Sequence, residues 1–327
     1  MDVYPYLFAP IYLEKIWGGR SLERLFGRDL PADKPIGESW ELADLAEGIS
    51  VVSNGPAAGT SLTELTRQLG ERLLGGAAPM PDGRFPLLLK LLDANDILSL
   101  QVHPDADAVA RLGGGAALKT ECWYVLEGRD GMIYKGVRPG VTAEQFAEAI
   151  KNDDVAPLVR SVPAEASSFH YLPAGTVHAL GAGVVVAEVQ TPSDTTYRVT
   201  DWGRGREIHV EKAMQCIHFT PTDDAAPGAD GETPGKDGQA LLVTEFFTVA
   251  KRLAAPGMPA SLPDGRCTAV IMLATAGYVA LHHTSGVESI TPLRAGQTLL
   301  VPAACNSPRL VAAGPCAWLE VTLPDAT

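Results

Sequence analysis

No stretch of about 20 consecutive apolar residues occurs in the chain, so a membrane-spanning helix is not expected. The opening MDVYPYLFAPIYLEKIWGG has no basic leader and no clean apolar run, and it carries Asp2, Pro5 and Glu14. No signal peptide is therefore expected, and the expected compartment is the cytoplasm. Positive charge is in short supply: 26 Lys and Arg against 39 Asp and Glu leave a net charge of −13. That argues against nonspecific nucleic-acid binding, which needs basic patches to neutralise phosphates. It leaves room for an anionic small molecule, because a local cluster of Lys and Arg can hold a phosphate inside an acidic protein. Cysteine is scarce as well. The five cysteines, Cys122, Cys216, Cys267, Cys305 and Cys316, form an odd set with no CxxC and read as reduced, mostly buried small hydrophobes.

Helix signals are few. Ser61-Leu62-Thr63-Glu64 is a capping box that opens SLTELTRQLGERLLG, a helix expected to stop at Gly75-Gly76. Thr142-Ala143-Glu144-Gln145 opens a second, with Phe146 and Ile150 on its apolar side, and HPDADAVARLG reads as one or two helical turns after a strand. What is abundant is punctuation: 33 Gly and 25 Pro, with short apolar runs between them such as ECWYVLEG, GVVVAEVQ, TAVIMLATAG and AWLEVTL. The pattern predicts many strands and tight turns, hence a barrel or sandwich. Residues 220–240 are rich in Pro, Gly and Asp with little to bury, so 221–240 reads as a loop or linker between a segment 1–220 and a β-rich segment 241–327. SSFHYLPAGTVHAL and GQTLLVPAACNSPRL are half-similar: strand, Pro-Ala turn, return strand. The second lacks the histidine.

Strand alternation brings polar groups together. In DILSLQVHP it puts Ile97, Ser99, Gln101 and His103 on one face and Leu98, Leu100 and Val102 on the other. Lys119, Glu121 and Trp123 share a face, as do Val184, Val186, Glu188 and Gln190. A carboxylate pointed into an apolar interior is costly unless paired or bound to a metal. Gln101, His103, Glu121 and His178 make a four-ligand set of two imidazoles, one carboxylate and one amide. A divalent ion there keeps about one net positive charge and remains a Lewis acid. An iron oxygenase more typically presents two histidines and a carboxylate with open positions, and the amide shifts the reading toward zinc. Arg198, past a Ser/Thr/Asp-rich loop, is a candidate to hold a phosphate or steady a developing enolate. His170, His209, His218, His282 and His283 read as structural or surface residues.

GESWEL (37–42), PLLLKLLDANDILSLQVHPD (86–105), KTECWYVLEG (119–128), LPAGTVHALGAG (172–183) and EVQTPSDTTYRVTDWGR (188–204) stand in an order and spacing that resembles the type I phosphomannose isomerases, in their shorter bacterial form. The large helical insertion of the longer forms is missing, and the C-terminal third has no recognisable motif. The resemblance implies a mainly β fold of tandem cupin-type (jelly-roll) barrels with a few short helices, the second without metal ligands. It implies one zinc ion per chain on Gln101, His103, Glu121 and His178. Arg198 corresponds to an essential arginine, Lys119 and Glu188 to pocket residues, and Ser99 to a serine near the phosphate. The implied activity is aldose–ketose isomerisation of mannose 6-phosphate and fructose 6-phosphate through a cis-enediol. Glu188 is the first choice of base, with His178 or a zinc-bound water as alternatives. Rival readings are another cupin carbohydrate enzyme, an epimerase or metal-dependent oxygenase, and a non-catalytic sugar-phosphate sensor. The expected partner is a small sugar phosphate, with no nucleic acid and no membrane, and the chain is a monomer or a homodimer.

Overall fold

The computed structural model describes residues 2–220, 240–275, 279–282, 291–312 and 314–326. The expected linker therefore lies, but for its last residue, outside the described residues. So do His283 and the side chain of His282.

Two antiparallel sheets face each other over the first two thirds of the chain. One has six strands in the order Phe169–Leu172, Glu121–Glu127, Val184–Gln190, Leu88–Ala94, Ile36–Leu42 and Ile11–Gly19. The other has five, in the order Val159–Pro163, Met132–Val137, His178–Leu180, Leu100–Val102 and Tyr197–Thr200. Alternation explains the layering. On the six-stranded sheet Trp123, Val125, Val184 and Val186 point inward and meet Ile133 and Leu180 of the facing sheet. Cys122, Tyr124, Val185, Ala187 and Val189 point the other way. The outer face of the five-stranded sheet, with Leu100, Val102, Ala179 and Val199, is covered by Phe146, Ala213 and Cys216 from helices Ala143–Lys151 and Val210–Cys216. This is the mainly β, cupin-type sandwich expected from the sequence.

A second sandwich follows the same plan. Its seven-stranded sheet runs Ala240–Val243, Thr248–Ala254, Cys316–Thr322, Thr268–Thr275, Thr298–Val301, Tyr6–Ala9 and Val51–Val52, and a three-stranded sheet runs Pro259–Ser261, Arg309–Ala312 and Val279–His282. Tyr6–Ala9 pairs with Thr298–Val301 and so ties the start of the chain to its last third. In Cys316–Thr322, Trp318 faces one core while Leu319 and Val321 face the other. That second core is shared with the outer face of the six-stranded sheet, so one continuous apolar layer joins the two sandwiches.

The helices follow their caps with one difference. Ser61 accepts from the Glu64 N–H, and Thr142 and Gln145 form the reciprocal capping box. The segment expected to be one helix to Gly75 is two, Leu62–Leu69 and Glu71–Leu74, because Gly70 takes φ +50° with ψ −122°, a pair no helix contains. Ser21–Phe26 and Val210–Cys216 are helices that the sequence pattern does not announce.

Candidate metal centre and sugar-phosphate cavity

The sequence puts the four ligand candidates on adjoining strands, and the register does the rest. Across the five-stranded sheet, Arg198 is the Cα partner of Gln101, Gln101 of His178, and His178 of Lys135. Across the facing sheet, Trp40 pairs with Lys90, Lys90 with Glu188, and Glu188 with Trp123. Two polar rows thus look at each other inside an apolar sandwich.

His103, Glu121 and His178 are each about 1% exposed, and their ligand atoms all lie within 4.8 Å of one another. Both imidazoles are fixed in the same tautomer by a backbone carbonyl, which can only accept. His103 Nδ1 donates to Thr195 O at 2.9 Å, and His178 Nδ1 donates to Thr176 O at 2.8 Å. Each Nε2 therefore presents a lone pair to the Glu121 carboxylate, at 3.5 Å and 3.2 Å. Lone pairs facing a carboxylate repel unless a cation lies between them. His103 Nε2 and both Glu121 oxygens are buried with no aligned donor. Buried polar atoms are normally satisfied, so this donor set fits a metal ion, with the second ring nitrogen of each histidine held as metal-ligating histidines usually are. Gln101 Nε2 sits 3.5 Å from His178 Nε2, and turning the amide over presents its oxygen at the same point. Ser99 Oγ, 3.3 Å from Gln101 Oε1, donates to that oxygen in the one arrangement and accepts from the amide NH2 in the other.

Lys119 Nζ lies 3.0 Å from Glu121 Oε2. Burial alone would raise the Glu121 pKa, but the Lys119 charge outweighs it and holds the carboxylate well below its usual range. Burial pushes the His103 pKa down to about 3, with help from Lys119. Glu188 moves the opposite way: burial and then the Glu121 charge raise it, against the pull of Lys90. Its Oε2 accepts from the Trp123 indole at 2.8 Å, and its Oε1 lies 3.2 Å from Lys90 Nζ.

Beside the imidazole–carboxylate cluster lies a cavity of about 270 Å³, which Lys119, Lys90 and Glu188 line. Ser99, Gln101, Lys119, Glu188 and Arg198 all reach it, as their positions in the sequence suggest. The strand itself begins only at Leu100, and Leu98 turns to the cavity side rather than joining Leu100 and Val102. Lys90, Glu38 and Lys15 line the cavity too, as an ion-pair chain with Lys15 2.9 Å from Glu38 and Lys90 3.7 Å from it. The signal for Lys90 was present: a lone charge in the apolar run LLLKLL, the same sign that marks Glu188. His209, expected to be structural or on the surface, also lines the cavity, and Arg206 beside it carried no sequence signal. His170 and His218 are structural as expected. His170 Nε2 lies 2.9 Å from Ser168 Oγ, and His218 Nε2 is 2.7 Å from Asp105. The five cysteines are free and buried.

The Pro-Ala-Gly-Thr turn is built around the centre. The Gly175 N–H donates to the His103 carbonyl at 2.9 Å, and the turn goes on to the Thr176 carbonyl that orients His178. Gly175 has φ +87°, and a Cβ there would meet the His218 ring at 2.5 Å. In the half-similar segment of the second sandwich Ser307 stands where His178 does, and among the described residues no second cluster of metal-ligand type occurs.

The family profile described as phosphomannose isomerase type I, catalytic domain, matches residues 7–124. A probable mannose-6-phosphate isomerase of Bacillus subtilis is 37% identical over 255 residues, 76% of this chain and 79% of its own length. A mannose-6-phosphate isomerase of Streptococcus mutans is 38% identical over 253 residues, 74% and 78% of the two chains. The crystal structure of a mannose 6-phosphate isomerase from Bacillus subtilis superposes with a TM-score of 0.84 at 29% identity, over 97% of this chain and 99% of that one. With the polar rows, the imidazole–carboxylate cluster and the tandem sandwich all in register, these likenesses settle its lineage: the chain belongs to the type I phosphomannose isomerase family.

Proposed function

We propose that the chain interconverts mannose 6-phosphate and fructose 6-phosphate through a cis-enediol(ate), with one zinc ion per chain held by Gln101, His103, Glu121 and His178. The observation that carries this reading is the buried centre in which two tautomer-fixed imidazoles converge on Glu121 at the end of a polar cavity. The activity named for the Bacillus and Streptococcus relatives supports the choice of substrate. When bound, the ion supplies a Lewis acid for the sugar oxygens.

The chain's own residues supply the rest. Moving a proton between C2 and C1 requires a base near both carbons and positive charge near the oxygens. Glu188 is that base: its carboxyl is buried, its pKa is raised, and Trp123 and Lys90 fix it from two sides. A raised carboxyl pKa lets the group hold the proton it removes and return it at the neighbouring carbon. Lys119 and Arg198 steady the enediolate charge, and with Ser99 they contact the substrate.

Residues 1–220 form the catalytic unit in this proposal. Residues 241–327 form a cupin-like cover without metal ligands, joined through 221–240, to which the N-terminal strand Tyr6–Ala9 is lent. The proposed compartment is the cytoplasm, with the chain a monomer or a homodimer. The test is conversion of mannose 6-phosphate to fructose 6-phosphate by purified protein, followed before and after chelation and after zinc is returned. Loss and recovery uphold the reading, and no turnover by zinc-loaded protein sinks the substrate assignment.

A further inference from the structure

His103 stands one residue beyond its strand, Leu100–Val102, and His178 is the first residue of His178–Leu180. At each of them the ladder runs on one side only, so something else must hold the backbone there. A closed circuit of short contacts does so. The Gly175 N–H donates to the His103 carbonyl at 2.9 Å, and the Gly175 carbonyl accepts from the His218 N–H at 2.9 Å. His218 Nε2 donates to Asp105 Oδ2 at 2.7 Å, and Asp105 is two residues from His103, where the circuit closes. The other Asp105 oxygen, Oδ1, accepts from the Ala108 N–H at 2.7 Å and caps helix Ala106–Leu112. Between His103 and Asp105, the Pro104 carbonyl accepts from the Lys119 N–H at 3.2 Å.

The His218 ring also covers the turn. A Cβ on Gly175 would lie 2.5, 2.6 and 2.6 Å from Cε1, Nδ1 and Nε2 of that ring. Such nearly equal distances to three consecutive atoms put the face of the ring over Gly175, an approach that only a residue without Cβ permits. His218 is anchored on both sides. Cys216 and Ile217 are buried in the layer that holds Phe146, and the Phe219 ring meets Phe146 edge-on at 5.7 Å.

We propose that Asp105 and His218 are positioning residues for the metal centre, clamping the turn Pro173–Thr176 onto the His103 corner and so setting where both imidazoles point. This rests on the metal-dependent isomerase reading and deepens it. The side chains of His218 and Asp105 are 40% and 29% exposed, so as an ion pair they add little to stability. Their effect is geometric. A turn released from His218 carries with it the Thr176 carbonyl that orients His178 and the Gly175 N–H that holds His103. Capping alone does not account for Asp105, since Ser or Asn caps a helix as well. What Ser lacks is the reach to His218.

The experiment measures zinc affinity, by competition with a chromophoric chelator, and thermal unfolding of the stripped protein. The variants are Asp105→Ser, Asp105→Asn, His218→Ala and His218→Gln. Asp105→Ser and His218→Ala are expected to bind zinc about 10- to 100-fold more weakly than wild type, the usual effect of losing a group that orients a metal ligand. Their stripped forms are expected to unfold within about 4 °C of stripped wild type, because the pair is partly exposed. Asp105→Asn keeps the cap and can donate to His218 Nε2 in its other tautomer, and His218→Gln keeps a donor to Asp105. Each is therefore expected to bind zinc more tightly than the second variant at its position. Wild-type zinc affinity in Asp105→Ser and His218→Ala would overturn the clamp, and so would a loss that the conservative variants share in full. A lowered Tm with unchanged zinc affinity would make the pair a stabilising contact and overturn it too. Where His218→Ala does not fold, Asp105→Ser, which keeps its helix cap, decides. A wild type that binds no zinc sinks the metal reading and the clamp with it. Zinc binding without turnover of mannose 6-phosphate sinks the substrate assignment alone, and the comparison of affinities stands.

Discussion

Replacing Glu121 by Gln removes one charge from a place where two groups depend on it. The carboxylate is the single anion of the proposed metal-ligand set, and it is also the partner of Lys119, whose side chain is 5% exposed. The substitution is nearly isosteric, so its effect is electrostatic rather than a cavity. In metal-stripped protein Lys119 then stays buried with Glu188 as a compensating charge, and Glu188 is already shared with Lys90. Breaking a buried pair from one side costs about 3–5 kcal/mol. For a domain of this size each kcal/mol lowers Tm by about 2–4 °C, so the expected loss is roughly 6–20 °C. Thermal unfolding of the stripped variant measures it, and metal analysis of the loaded variant reports the lost ligand. Adding Lys119→Met removes the stranded charge, so the double variant is expected to recover most of the stability and none of the metal or activity. A loss below about 1 kcal/mol, or a double variant no more stable than the single one, would refute the account of a charge held only by its partner.

Glu188→Gln is expected to keep its metal and lower kcat by about 10²–10⁴-fold, the usual contribution of a positioned base. Metal analysis and steady-state kinetics check it, and retained kcat would remove Glu188 from the mechanism. Arg198→Ala likewise keeps metal and loses activity, and near wild-type turnover would contradict its role. Stability of the stripped protein is expected to depend on pH through His103 and His170, whose pKa values burial lowers to about 3 and about 4. Unfolded, both titrate near about 6.5, so between these values the unfolded chain binds more protons. The stabilisation is thus complete above about pH 6.5 and falls on acidification, by up to about 1.4 kcal/mol per pH unit for each histidine. Denaturant unfolding from pH 7 to 4 tests the sign, and a rise in stability toward pH 4 would contradict it. Gly175→Ala is expected to cost about 1–3 kcal/mol for its positive φ, plus the clash with His218. Thermal unfolding and metal affinity should fall together, because the same turn orients His103 and His178.

The strands that carry the centre were legible because each sets a charge or imidazole among apolar residues at period two. Gln101, Glu121 and Glu188 all fall on the faces that alternation assigns. The same rule applied to LLLKLL would have found Lys90, whose pairing with Glu188 only the register makes visible. Arg206 and His209 were not legible, since a loop and the start of a short helix have no period and their approach to Arg198 depends on tertiary placement. The pairing of Tyr6–Ala9 with Thr298–Val301 was not legible, because the two strands lie some 290 residues apart. Leu98 departed from its expected face because the ladder had not yet begun there. The break at Gly70 is a local effect of one residue's conformation, hidden inside an otherwise continuous helical pattern.

The central proposal is a zinc-dependent isomerase whose ion would be held by Gln101, His103, Glu121 and His178. It is tested most directly by titrating stripped protein with zinc while following turnover of mannose 6-phosphate. The account predicts activity that rises from nothing in proportion to bound zinc and stops rising at one ion per chain, with no such rise in His178→Ala. Full turnover by the stripped protein, or a zinc response left intact in His178→Ala, would contradict it.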